Sequence, residues 1–141
     1  MDSPLIPNVV LSYINQQKRK KVFEKFLGKC AYCGSDISYT DMQVDHIEAK
    51  YLFRLFGKKD PDHIDNLFPA CYICNHRKRA ESIEQFRKIL LILHTHKAFK
   101  RQCRKKNTEK KKQYILKLAS QYLITPDNPF TGKFYFEKQT S

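Results

Sequence analysis

Two Cys-x-x-Cys pairs, Cys30 with Cys33 in "CAYC" and Cys71 with Cys74 in "CYIC", constrain this chain more than any other feature. Four thiolates at that spacing suit a metal held in a tetrahedron, because each turn delivers two sulfurs to one face of the ion. The segment between the pairs, Gly34 to Ala70, is longer than the roughly 15–20 residues of compact zinc-ribbon spacing. The ion would therefore staple the two ends of an inserted structure. A closed four-cysteine site leaves no open coordination position, so the expected occupant is a structural Zn²⁺. Disulfides are the competing reading, but "MDSPLIPNVVLSY" has an acid and two prolines where a basic and then apolar leader would stand. A reducing cytoplasm is the compartment expected on that basis. The fifth cysteine, Cys103, has no partner and reads as an ordinary thiol on a helix.

Charge narrows the partner. The 141 residues carry 27 Lys+Arg against 14 Asp+Glu, a formal net charge of +13, which on one domain-sized body points to a polyanion, nucleic acid first. A membrane span would need about 18 consecutive apolar residues. The longest apolar cluster, "ILLILH" from Ile89, falls short, so no membrane partner is expected. A membrane-surface protein would need an exposed apolar face beside its lysines, and the helices direct that face to the core.

Periodicity orders the rest into a single domain over 1–141. Tyr13, Ile14, Val22, Phe23, Phe26 and Leu27 recur at helical spacing, giving an N-terminal helix over about 12–27 that Gly28 stops. "MQVDHI" alternates as a short strand, "AKYLFRLFG" carries some helix, and "NLFPAC" is a second extended piece that Pro69 keeps short. Ser82 with Gln85 three residues on forms a capping box for a helix carrying Ile83, Phe86, Ile89 and Leu90. A basic helical extension over about 82–141 includes a further helix from about Thr108 to Leu123, and the alternating aromatics of "KFYFEK" suggest a terminal strand.

The staple encloses "VDHIEAK" and "HIDNLFPACYICNHRK", followed by "SIEQFR". In that order these motifs resemble the HNH endonucleases, from Cys30 to about Phe86. The resemblance implies an α+β fold with a ββα-metal (HNH, His-Me finger) core over about 28–86, flanked by the N- and C-terminal helices. It implies that His46 is the general base, that Asp45 binds the catalytic metal, and that Asn66 braces the loop and orients the base. Asn75, directly after Cys74, falls at the second protein ligand of that metal, with His76, one residue and about 100° of helix further on, as the alternative. Lys78 stands where the family has a lysine after Cys-Asn. The implied setting is bacterial or phage, and the implied products carry 5′ phosphate and 3′ hydroxyl.

These residue types suit phosphodiester hydrolysis on their own terms. An imidazole can take a proton from water near neutral pH. The oxygen donors Asp45 and Asn75 suit a hard cation, Mg²⁺ or Mn²⁺, which needs few protein ligands because waters and substrate phosphates complete its shell. Arg77, Lys78 and Arg79 are expected to contact backbone phosphate, which positions a substrate without reading sequence. "KRKK" at 18–21 and the lysines from Lys97 to Lys112 add cations that can displace counterions from duplex DNA. His63 reads as a loop residue, and His94 and His96, two apart, as facing different ways. One active site cuts one strand at a time, so double-strand cleavage asks for a homodimer or two encounters. The competing reading is a non-catalytic, zinc-stapled nucleic-acid-binding module.

Overall fold

The computed structural model describes residues 14–100 and 106–139 of the chain, with the side chains of 106 and 107 left aside. The N-terminal helix, α1, runs over Gln16–Glu24 behind an Asn15 cap whose side chain accepts from the Lys18 amide at 2.8 Å. In the turn that follows it, Leu27 and Gly28 take positive φ, 55° and 82°. Strands β1 (Gln43–His46) and β2 (Leu67–Ala70) pair antiparallel, with Asp45 opposite Phe68 and His46 opposite Leu67. Helix α2 (Lys50–Leu55) sits in the long connection between them. Cys71 caps α3 (Tyr72–Lys78), its sulfur accepting from the Cys74 amide at 3.4 Å. The order strand, strand, helix is the mixed α+β ββα unit expected from the sequence.

Helix α4 (Ile83–Leu91) begins at Ser82 with both halves of its capping box formed: Gln85 N–H donates to Ser82 Oγ at 3.1 Å, and Ser82 N–H to Gln85 Oε1 at 2.9 Å. Two 3₁₀ turns, Leu93–Thr95 and Lys97–Phe99, lead towards α5 (Lys106–Gln121). His94 and His96 therefore lie beyond the end of α4, and His96 Nδ1 accepts from the Ala98 amide. Cys103 falls outside the described residues.

The tail corrects the terminal-strand expectation. Tyr135–Lys138 form a short helix, α6. "FYFEK" alternates like a strand, but Glu137 Oε1 accepts from the Phe134 amide at 2.9 Å and closes a helical turn. The amides of Tyr135 and Phe136 donate instead to the carbonyls of Tyr32 and Ala31.

One hydrophobic cluster joins the two ends of the chain. Tyr32, in the first cysteine turn, is buried, and its ring meets Phe68, Phe86, Phe134 and Phe136 edge-on at 5.4–6.2 Å. Phe86 and Leu90 of α4, Leu118 and Ala119 of α5, and Phe130 complete it. A second cluster of Val22, Met42 and Leu67 seats α1 on the strands. The close packing reaches the turn glycine: a Cβ on Gly34 (φ 79°) would stand 2.6 Å from Tyr135 Cδ1. Among the described residues no helix is long and apolar enough to cross a membrane.

Candidate active site

The four sulfurs of Cys30, Cys33, Cys71 and Cys74 lie within 4.8 Å of one another, with Cys33 and Cys71 at 3.9 Å. No disulfide joins them. Such a cage has the donors and spacing to hold a metal ion. It is also an acceptor site for hydrogen bonds: Gln121 Nε2 donates to Cys33 and Cys71 at 3.2 and 3.3 Å, and the Tyr122 hydroxyl lies 2.8 Å from Cys74 Sγ. Hydrogen bonding from Cys30 pulls the Cys33 thiol down to about 7 and the Cys71 thiol down as well. The Cys30 thiol is pushed up by hydrogen bonding with Cys33 and the Cys74 thiol by burial, so the thiolate that a metal requires is favoured at Cys33 and Cys71. Sequence reasoning missed Gln121 and Tyr122, which lie far along the chain from the cysteines.

The cage presents α3 to the strand pair. A cavity of about 270 Å³ opens there, lined by Asp45, His46, Lys50, Asn75 and Arg79 among others. Asp45 and His46 end β1, and Asn75 follows Cys74 on α3. His76 lies outside this cavity, stacked on Tyr72 with centroids 5.4 Å apart and edge-on to Tyr114 at 5.5 Å. The Asn75 amide nitrogen is 3.5 Å from Gln43 Oε1. Its amide oxygen is the atom free to serve a cation.

Asp45 is 3% exposed. The Tyr32 hydroxyl donates to Oδ2 at 2.5 Å, and Lys78 Nζ reaches Oδ2 at 3.1 Å and Oδ1 at 3.3 Å. Burial raises the Asp45 pKa above the usual carboxylate range, and Lys78 and Tyr32 offset part of that rise. The two carboxylate oxygens together offer about four lone-pair sites, so these contacts leave capacity for a cation.

Lys78 departs from the expected phosphate contact. It is wholly buried, and its ammonium donates to Asp45 and to the carbonyls of His46 and Ile47. The helical phase gives the reason: Lys78 is four residues after Cys74, on the face that packs inward. Arg77 is half-buried and Arg79 exposed, both on the outer side.

His46 Nε2 stands 2.6 Å from Asp62 Oδ1, with Lys50 3.8 Å from the same oxygen. An ionised Asp62 accepts from Nε2–H, which leaves Nδ1 as the ring nitrogen with a free lone pair. Lys18 Nζ donates to the Asp62 carbonyl at 2.8 Å and fixes the loop that carries it. Asp62 gave no signal in the sequence, where it is one acid among several in a polar loop. Asn66 braces the same loop: Nδ2 donates to the carbonyls of Glu48 and Pro61 at 3.0 and 2.9 Å, and Oδ1 accepts from the Glu48 amide at 2.8 Å. His63 Nδ1 accepts from the Asp65 amide and caps the 3₁₀ turn at Ile64–Asn66.

Residues 30–81, which hold both the sulfur cage and this cavity, match the family model described as HNH endonuclease. An HNH segment therefore spans residues 30–81. No curated relative matches the chain. Among solved structures, the crystal structure of the Type II-C Cas9 enzyme from Actinomyces naeslundii is similar at 17% identity with a TM-score of 0.43. The similarity covers 88% of this chain and 15% of that one, so the chain spans a small part of its length.

Proposed function

We propose that the HNH segment is a metal-dependent endonuclease that hydrolyses phosphodiester bonds, with double-stranded DNA as its substrate and His46 as its general base. The observation that carries this reading is the convergence of Asp45, His46, Asn75 and Arg79 on one open cavity. In it, His46 takes a proton from water at Nδ1 while Asp62 holds the ring through Nε2. Asn66 keeps the loop in place behind them, and Arg79 meets the phosphate.

Asp45 and the Asn75 amide oxygen are hard donors on one cavity wall, and they would hold Mg²⁺ or Mn²⁺. The bound cation supplies counter-charge for the phosphate and for the departing 3′ oxygen. Asn75 is preferred to His76 because it lines the cavity with Asp45, whereas His76 is engaged by Tyr72 and Tyr114. In the sulfur cage we propose Zn²⁺: at a zinc–sulfur distance of about 2.3 Å a tetrahedron has edges of about 3.8 Å. The Cys33–Cys71 separation of 3.9 Å agrees.

The test is incubation of supercoiled plasmid with purified protein in Mg²⁺ or Mn²⁺, with EDTA and His46→Ala as controls. Nicking by the parent, abolished by EDTA and reduced at least about 100-fold by His46→Ala, is expected. Equal nicking by the two proteins would remove His46 as base. Binding without cleavage of any duplex, single strand or RNA would establish the non-catalytic module instead.

A further inference from the structure

A second and larger recess, about 930 Å³, lies between α3, the turn at Lys97–Phe99 and α5. Among the described residues, Arg77, Arg79, Lys97, Lys100, Lys110 and Lys111 line it, and no carboxylate does. None of these six forms an ion pair among the described residues. Lys112 is also on its wall and donates to the Lys100 carbonyl at 3.0 Å, tying α5 to the turn. Six unneutralised cations on one concave surface repel one another unless an anion joins them. The surface is thus built for a polyanion.

Two details identify which kind. Arg79 lines both this recess and the catalytic cavity, so the two adjoin. A ladder of rings, Tyr72, His76 and Tyr114, stands along the α3–α5 wall, with His76 and Tyr114 facing the recess and Tyr72 61% exposed. A duplex is read by elements that protrude into its grooves. A recess combining backbone-tracking cations with partly exposed aromatic rings is how proteins hold unpaired strands.

We propose that the α3–α5 groove binds an unpaired nucleic-acid strand adjoining the duplex that carries the scissile phosphate, its phosphates along the lysines and its bases against His76 and Tyr114. The placement beside that duplex rests on the nuclease reading; the binding of a strand is measurable without cleavage.

The experiment uses full-length protein carrying His46→Ala, so that the probe stays intact, and fluorescence anisotropy with a labelled 15-nucleotide oligothymidine or a blunt duplex of equal length. Lys97→Glu/Lys110→Glu/Lys111→Glu reverses the groove, and Lys117→Glu/Lys133→Glu/Lys138→Glu makes the same change in net charge at exposed positions elsewhere. The groove variant should bind the single strand at least tenfold more weakly, with its log–log salt slope reduced by about 2, as three lost contacts at ~0.7 each require. The control should stay within threefold. His76→Ala should weaken single-strand binding with the salt slope unchanged, because it removes a ring and no phosphate contact. Equal loss in the two triple variants, no binding of the single strand by the parent, or a larger loss for duplex than for single strand would each overturn the proposal. If plasmid is never cut while the groove variant loses the strand, the nuclease reading falls and the groove stands.

Discussion

Lys78 is the residue whose placement matters most to the site. A buried ammonium beside a buried carboxylate costs desolvation at both ends, and removing one partner leaves the other charge uncompensated. Lys78→Met should therefore destabilise the protein by about 3–5 kcal/mol, while Lys78→Met with Asp45→Asn should recover much of that loss. Urea unfolding of the parent and both variants measures this, and Lys78→Met unfolding at the parental midpoint would show that the pair contributes nothing. At this scale the cysteines, Asp45, His46 and Asn75 are legible because their chemistry depends on short spacings. Asp62 is not, because what defines it is a contact across sixteen residues of loop. Lys78 could have been placed inward by its phase relative to Cys74, had the basic run around it not read as one solvated patch.

Among the elements, α4 and α6 depend on one guanidinium. Arg87 donates to both oxygens of Glu137 at 2.7 and 2.6 Å, to the Gly132 carbonyl at 2.5 Å and to Glu84, and lies over the Phe134 ring at 5.1 Å. These contacts hold the tail helix against the aromatic cluster. Hydrogen bonding from Arg87 lowers the Glu137 pKa in the folded state. A depressed carboxyl contributes stability that is complete above its unfolded pKa, about 4.3 for glutamate, and that disappears as pH falls through the lower folded value. Glu137→Gln should then be less stable than the parent at pH 7, by about 1 kcal/mol for this partly exposed pair, and closer to it at a pH below about 4.3. Thermal unfolding at the two pH values tests the convergence; a gap that persists at low pH would show that Glu137 acts through packing rather than charge. The capping box of α4 is legible because all its parts lie within four residues. The tail is not, since its aromatics alternate like a strand and only the distant Arg87 and Tyr32 make a helical turn the better arrangement.

At the scale of the whole molecule, the positive charge of the described residues is distributed unevenly, and the sulfur cage organises that distribution. Lys18 and Arg19 in α1, and Lys25 just beyond it, are taken up by carbonyls of Asp62, Tyr39, Met42, Ile64 and Leu67, so half of the "KRKK" cluster serves the fold. The free cations concentrate on α3 and α5, two helices whose relation depends on the cage: α3 starts from Cys71, and α5 ends with Gln121 and Tyr122 on the sulfurs. Because a metal at such a site contributes directly to folding free energy, its removal should loosen both ends of this arrangement together. Amide hydrogen exchange with and without a strong zinc chelator tests that link. Protection should fall around Cys30–Gly34 and Cys71–Asn75 and also along the last turn of α5, near Lys117–Tyr122, while the α1 amides facing Met42 and Leu67 keep more of theirs. Loss confined to the two cysteine turns would mean that α5 is held by its aromatic packing alone, and that the basic groove between α3 and α5 persists without the metal.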